Sequence, residues 1–140
     1  MPETLRRALE EALDHEYQAA ATYEAAIAAF GPVPPFVEIV EAERRHADQL
    51  LCLFERHGFD PPPNRWRGHI PKPADLEDAC RAATATEEAG AALYARLVDG
   101  VADAETRAVF TRLQTESMVD HRPAFAACAE NRTRHLLPIR

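Results

Sequence analysis

Apolar side chains return every third or fourth position along four long stretches of the chain, and glycine or proline closes most of them. That period places one face of an α-helix in a protein interior. The first stretch predicts a helix from about Glu3 to Phe30, stopped by the run GPVPP, and the second predicts one from about Pro35, a good first-turn residue, to His57, stopped by Gly58. No helical period survives in FDPPPNRWRGHIPKP. Helices resume over roughly Ala74 to Val98, before DGVAD, and over roughly Ala104 to Glu130, which leaves 131–140 as a C-terminal tail behind a bundle of residues 1–130. Short turns make the first and second helices, and the third and fourth, antiparallel neighbours. The expected fold is all-α: a four-helix bundle of two antiparallel hairpins joined by a Pro-rich crossover. That fifteen-residue connection can either cross the whole length of the bundle or fold as a compact loop at one end.

Each apolar stripe has a polar intruder near mid-length. Glu16 falls between Leu13 and Tyr23, Glu43 and His46 fall between Val40 and Leu50, Glu87 falls between Ala83 and Tyr94, and His121 shares the row of Ser117 and Phe125. Within each hairpin the intruders stand level about the turn. An internal echo joins them: EYQAAATY and EEAGAALY each set a Glu seven residues before a Tyr, pairing Glu16 with Tyr23 and Glu87 with Tyr94. A buried charge without a partner costs several kcal/mol. Arg44 and Arg45 only flank the second stripe, and no Arg or Lys interrupts the middle of the others. Divalent metal is the better compensator, because carboxylates bridge two ions and neutral imidazoles complete their coordination. Tyr23 and Tyr94 read as amphipathic core residues, with hydrogen bonding to a ligand carboxylate or a redox part as the catalytic alternative.

Composition narrows the partners. The chain has 140 residues, 46% of them hydrophobic and only 5 of them Gly, which fits one domain with one core. A formal charge of -7 and a pI near 5.3 argue against nucleic acid and anionic membranes and in favour of cations. Neither a transmembrane run nor a signal peptide is evident, so a cytoplasmic location is the expectation. Cys52, Cys80 and Cys128 are too few and too scattered for a disulfide scaffold or a CxxC zinc site. They read as small buried apolar residues.

With Glu16, the EAERRH of Glu43 and His46, and Glu87 in place, the sequence resembles the ferritin-like superfamily of di-iron carboxylate bundles. In that superfamily two lone Glu and two Glu-x-x-His motifs line the core. The segments PFVEIVEAERRHADQLLCLFERHGFDPP, DAC and HRPAFAAC are similar to a bacterial branch classed as a domain of unknown function. The resemblance implies metal held by Glu16, Glu43, His46, Glu87 and His121. The metal would be iron as a di-iron pair, or manganese, with zinc as a substitute in purified protein.

The fourth helix departs from that pattern. Met118 stands where a second Glu-x-x-His ending at His121 would need glutamate, and Glu116 lies about 140° around an α-helix from His121. Glu116, Glu88, Asp120 or a hydroxide remain as sources of the fourth negative charge, and Pro123 could kink the helix toward the site. The expected function is a ferroxidase- or peroxidase-like oxidoreductase acting on dioxygen or peroxide, with a separate electron donor if it is a peroxidase. Metal storage or delivery, and a metal-free helical interaction module, are the alternatives. A homodimer or small oligomer is expected rather than a large cage.

Overall fold

The computed structural model describes residues 2–135, with side chains through Asn131. Helix α1 spans Pro2–Phe30, α2 Phe36–His57 and α3 Leu76–Gly100. The place of the fourth helix is taken by one continuous rod: α4 over Ala104–Thr115, a π-helical turn over Glu116–His121, and α5 over Arg122–His135. The rod thus runs past the expected end at Glu130, and the remainder of the expected tail, 136–140, lies outside the described residues. Asp75 caps α3 by accepting from the Asp78 amide at 2.8 Å, and Asp103 caps α4 by accepting from Thr106 at 3.0 Å. Gly58 closes α2 at φ 71°, a left-handed position that suits glycine.

The crossover takes the long route. Phe59 packs beside the N-terminal end of α1, Arg65 and Trp66 both donate to Asp14 midway along it, and Gly68, Ile70 and Lys72 line a groove with Ala21, Ala25 and Ala28. The connection therefore lies against nearly the full length of α1 before α3 begins.

Two apolar clusters fill the interior. One gathers Leu9, Leu13, Leu50, Phe54, Tyr94, Phe110 and Leu113; the other gathers Tyr23, Phe36, Val40, Ala83 and Phe125. Each fully buried large side chain contributes about 1.5–3 kcal/mol. Glycine 90, unusual in mid-helix, permits a close approach of α1 and α3: a Cβ there would lie 2.5 Å from His15 Nε2.

The cysteine expectation needs correction. Cys80 and Cys128 are buried but joined as a disulfide, and Cys52 is an exposed free thiol. The bonded pair is 48 residues apart, and only the antiparallel packing of α3 against α5 brings it together.

Candidate metal centre

Between the two clusters lies a polar layer. Glu16, Glu43, His46, Glu87 and His121 are all at most 6% exposed, and each comes from the middle of its helix or, for His121, from the end of the π turn. They form two groups, Glu16 with Glu43 and His46, and Glu43 with Glu87 and His121; within each group the candidate donor atoms lie within 4.8 Å of one another. Glu43 belongs to both. Its Oε2 is 3.8 Å from His46 Nδ1 and its Oε1 is 3.1 Å from His121 Nδ1. His46 Nδ1 also lies 3.0 Å from Glu16 Oε1, and His121 Nδ1 lies 3.3 Å from Glu87 Oε1. The two imidazoles stack with centroids 5.7 Å apart.

The tyrosines close the layer on both sides. Tyr94 of α3 donates to Glu16 Oε2 at 2.6 Å, and Tyr23 of α1 donates to Glu87 Oε2. Each leaves the other oxygen of its carboxylate for a histidine.

Electrostatics follow from this crowding. Burial and the neighbouring Glu43 carboxylate raise Glu16 to about 7, against the hydrogen bond from His46. Burial alone would also raise Glu43, yet the His121 and His46 imidazoles hold it below the usual carboxylate value. For His46 burial opposes the proton, but Glu16 and Glu43 outweigh it and lift the imidazole to about 11; Glu43 and Glu87 likewise lift His121 to about 9. Raised in this way, both imidazoles favour their protonated forms when no metal is bound and offset the buried acids without help from Arg or Lys.

Metal fits this cluster. Glu43 Oε1 is buried and misaligned with His121 Nδ1 despite the short distance, so it makes no hydrogen bond. An orphaned carboxylate oxygen amid oxygen and imidazole donors is the chemistry that first-row dications take up.

All the residues expected to carry the site are brought together. Met118 does not replace the missing glutamate: it is 44% exposed and turned away from the core. Glu116 does reach the layer, with its Oε1 at 3.2 Å from His46 Nε2. The signal for it lay in the buried run Leu113, Ser117, His121, Phe125, three successive steps of four that a regular α-helix would rotate off its stripe. A π turn, wider by nearly one residue, holds them in line.

No protein-family model and no curated protein matches the sequence. Solved structures do share its fold. A hypothetical protein from Methanococcus jannaschii superposes with a TM-score of 0.81 at 19% identity, covering 91% of this chain and 81% of that one. The bacterioferritin-related protein from Bacteroides fragilis, a dodecameric thioferritin, gives a TM-score of 0.81 at 16% identity over 96% of this chain and 89% of its own. A conserved hypothetical protein from Mycobacterium tuberculosis gives 0.72 at 23% identity over 99% and 95%. The fold is thus a ferritin-like four-helix bundle, carrying a carboxylate–histidine cluster suited to metal. Among the described residues no helix is long and apolar enough to cross a membrane.

Proposed function

We propose that this protein binds two divalent cations, iron or manganese, at the middle of its bundle and acts on dioxygen or peroxide there. Glu43 carries the reading, since one buried carboxylate presents different oxygens to two histidines and one of those oxygens has no hydrogen bond. Glu16 and His46 would help hold one ion and Glu87 and His121 the other, with Glu43, a member of both groups, available to each. Such a metal pair, when bound, supplies electrons to an O–O bond.

The chain's own groups prepare that chemistry. Tyr94 and Tyr23 fix the ligand carboxylates by their Oε2 atoms. The apolar clusters on either side exclude water, which strengthens every charge interaction between them. A peroxidase would draw electrons from a separate donor. The dodecameric thioferritin supports assembly of this chain as well, and a homodimer or small oligomer measured by light scattering would favour turnover, whereas a cage would favour storage.

Elemental analysis after anaerobic expression with iron and with manganese tests the reading. Up to two ions per chain are expected, both lost in Glu43→Ala, with zinc replacing them when it is abundant. A second reading, a metal-free interaction module, draws on the placement of His46 and His121 against the buried carboxylates, which favours their protonated forms and lets them offset the acids. Wild-type protein that takes up no metal would remove both the enzyme and the storage functions and leave that reading standing.

A further inference from the structure

Glu116 stands apart from the two ligand groups. Among the described residues it is the one carboxylate on the far ring nitrogen of His46: Glu16 Oε1 lies 3.0 Å from Nδ1, and Glu116 Oε1 lies 3.2 Å from Nε2. Its side chain is 32% exposed, unlike the buried ligand set.

The π turn puts it there. In an uninterrupted α-helix Glu116 would sit about 140° from His121 and point away from the layer. Here the Arg122 amide donates to the Ser117 carbonyl, a five-residue step that widens the turn and carries Glu116 and His121 toward one side. Pro123 accounts for the widening. Its ring offers no N–H and would crowd the Val119 carbonyl in a tight α-turn.

We infer that Glu116 is a positioning residue for the metal centre: by accepting the Nε2–H of His46 it fixes the imidazole tautomer and turns Nδ1 toward the ion shared with Glu16 and Glu43. The inference rests on the dimetal reading above. Metal-ligating histidines regularly give their second N–H to a carboxylate, which raises the basicity of the ligating nitrogen and sets the ring's orientation. Glu116 also settles the charge. Glu16, Glu43 and Glu87 supply three negative charges against two dications, and Glu116, one imidazole away, supplies the fourth.

Zinc titration against a chromophoric chelator tests this, with Zn(II) as a diamagnetic probe. Glu116→Ala is expected to weaken one of the two zinc sites about 10–100-fold, while Glu116→Gln, whose carbonyl still accepts the N–H, loses less. In a His46→Ala background Glu116→Ala should change nothing further. Nitrogen-15 spectra of the zinc-loaded wild type should show His46 protonated at Nε2 and metal-bound at Nδ1, with the Nε2 proton exchanging much faster in Glu116→Ala. An alanine variant that binds both ions as tightly as wild type would overturn the inference. So would an undiminished effect of Glu116→Ala without His46, or an equal loss with glutamine and alanine, since either makes Glu116 a direct ligand. Wild type that binds no zinc, iron or manganese sinks the metal reading itself and takes this inference with it, a result distinct from the others.

Discussion

Tyr94 and Glu16, 78 residues apart in the chain, meet through a 2.6 Å hydrogen bond across the α1–α3 interface, and Tyr23 meets Glu87 in the reciprocal bond. Two antiparallel helices with the same Glu-to-Tyr interval of seven residues can cross-pair in both directions at once. Burial first, and the nearby carboxylates second, push both phenols well above their ordinary value, so both stay donors at any working pH. Tyr94→Phe and Tyr23→Phe should therefore each lower metal-free stability by about 1.5–3 kcal/mol, the range for hydrogen bonds to charged groups. Urea unfolding checks this. Combined with Glu16→Gln, the Tyr94 change should cost less than the sum of the separate changes; strict additivity would mean that the pair does not act together.

Protonation sets the pH response of the metal-free bundle. His46 rises from 6.5 to about 11 and His121 from 6.5 to about 9. Folding is thus favoured fully below 6.5, and that stability is lost as pH climbs through about 9 and about 11. Glu16, raised from 4.5 to about 7, adds a loss over that lower window. Opposing it, Glu43 contributes stability above 4.5 that disappears in acid. Melting of chelated protein should fall from pH 7 to 10. Metal binding should strengthen over the same range and release about two to three protons at pH 7, because both ligating imidazoles must be neutral and Glu16, about half protonated there, must be ionised. Calorimetry in buffers of different ionisation heat counts those protons; none released would show that His46 and His121 do not ligate.

Glycine 90 gives a packing test. Gly90→Ala places a methyl against the far edge of the half-buried His15 ring, so the ring must swing aside and part of the gain in helix propensity should be lost. Removing the ring as well, in His15→Ala with Gly90→Ala, should recover the loss and expose the propensity gain of about 1 kcal/mol. Thermal melts of the single and double variants decide whether the contact is the cause.

Reduction of Cys80–Cys128 opens a loop of 48 residues. The chain-entropy argument puts the cost at about 4 kcal/mol, read as a lower urea midpoint in dithiothreitol. Cys80→Ser should show the same loss and no further response to reductant.

Three helices, the start of the fourth and the buried acids were legible because they follow from a period, and the hydrophobic stripe marks the same residues that end up inside. Glu16, Glu43, His46, Glu87 and His121 stand out as polar positions on apolar faces, and the reciprocal tyrosines were foreshadowed by their repeated interval. Glu116 was not placed, because a projection at 3.6 residues per turn holds only while the helix stays regular, and Pro123 breaks that regularity without saying where the chain absorbs it. The burial of Cys80 and Cys128 was legible but their bond was not, for another reason: pairing across helices depends on relative height and rotation, which spacing along one chain does not encode. Between a crossing strap and an end loop, the choice turned on contacts of Arg65 and Trp66 with Asp14 that no local pattern announces.

The polar layer gives the molecule a waist. On either side of it lies a dry half stitched by aromatic and aliphatic contacts, and one half is also cross-linked by the disulfide. At the waist cohesion depends on charge and hydrogen bonds, which water can replace. Local opening should therefore reach the waist before the centre of either half, with the amides around Glu43 and Glu87 exchanging before those packed in the two apolar clusters, while the helix termini fray first of all. A guest of two or three atoms needs only that small opening, while a bulky one would have to wait for a whole half to come apart.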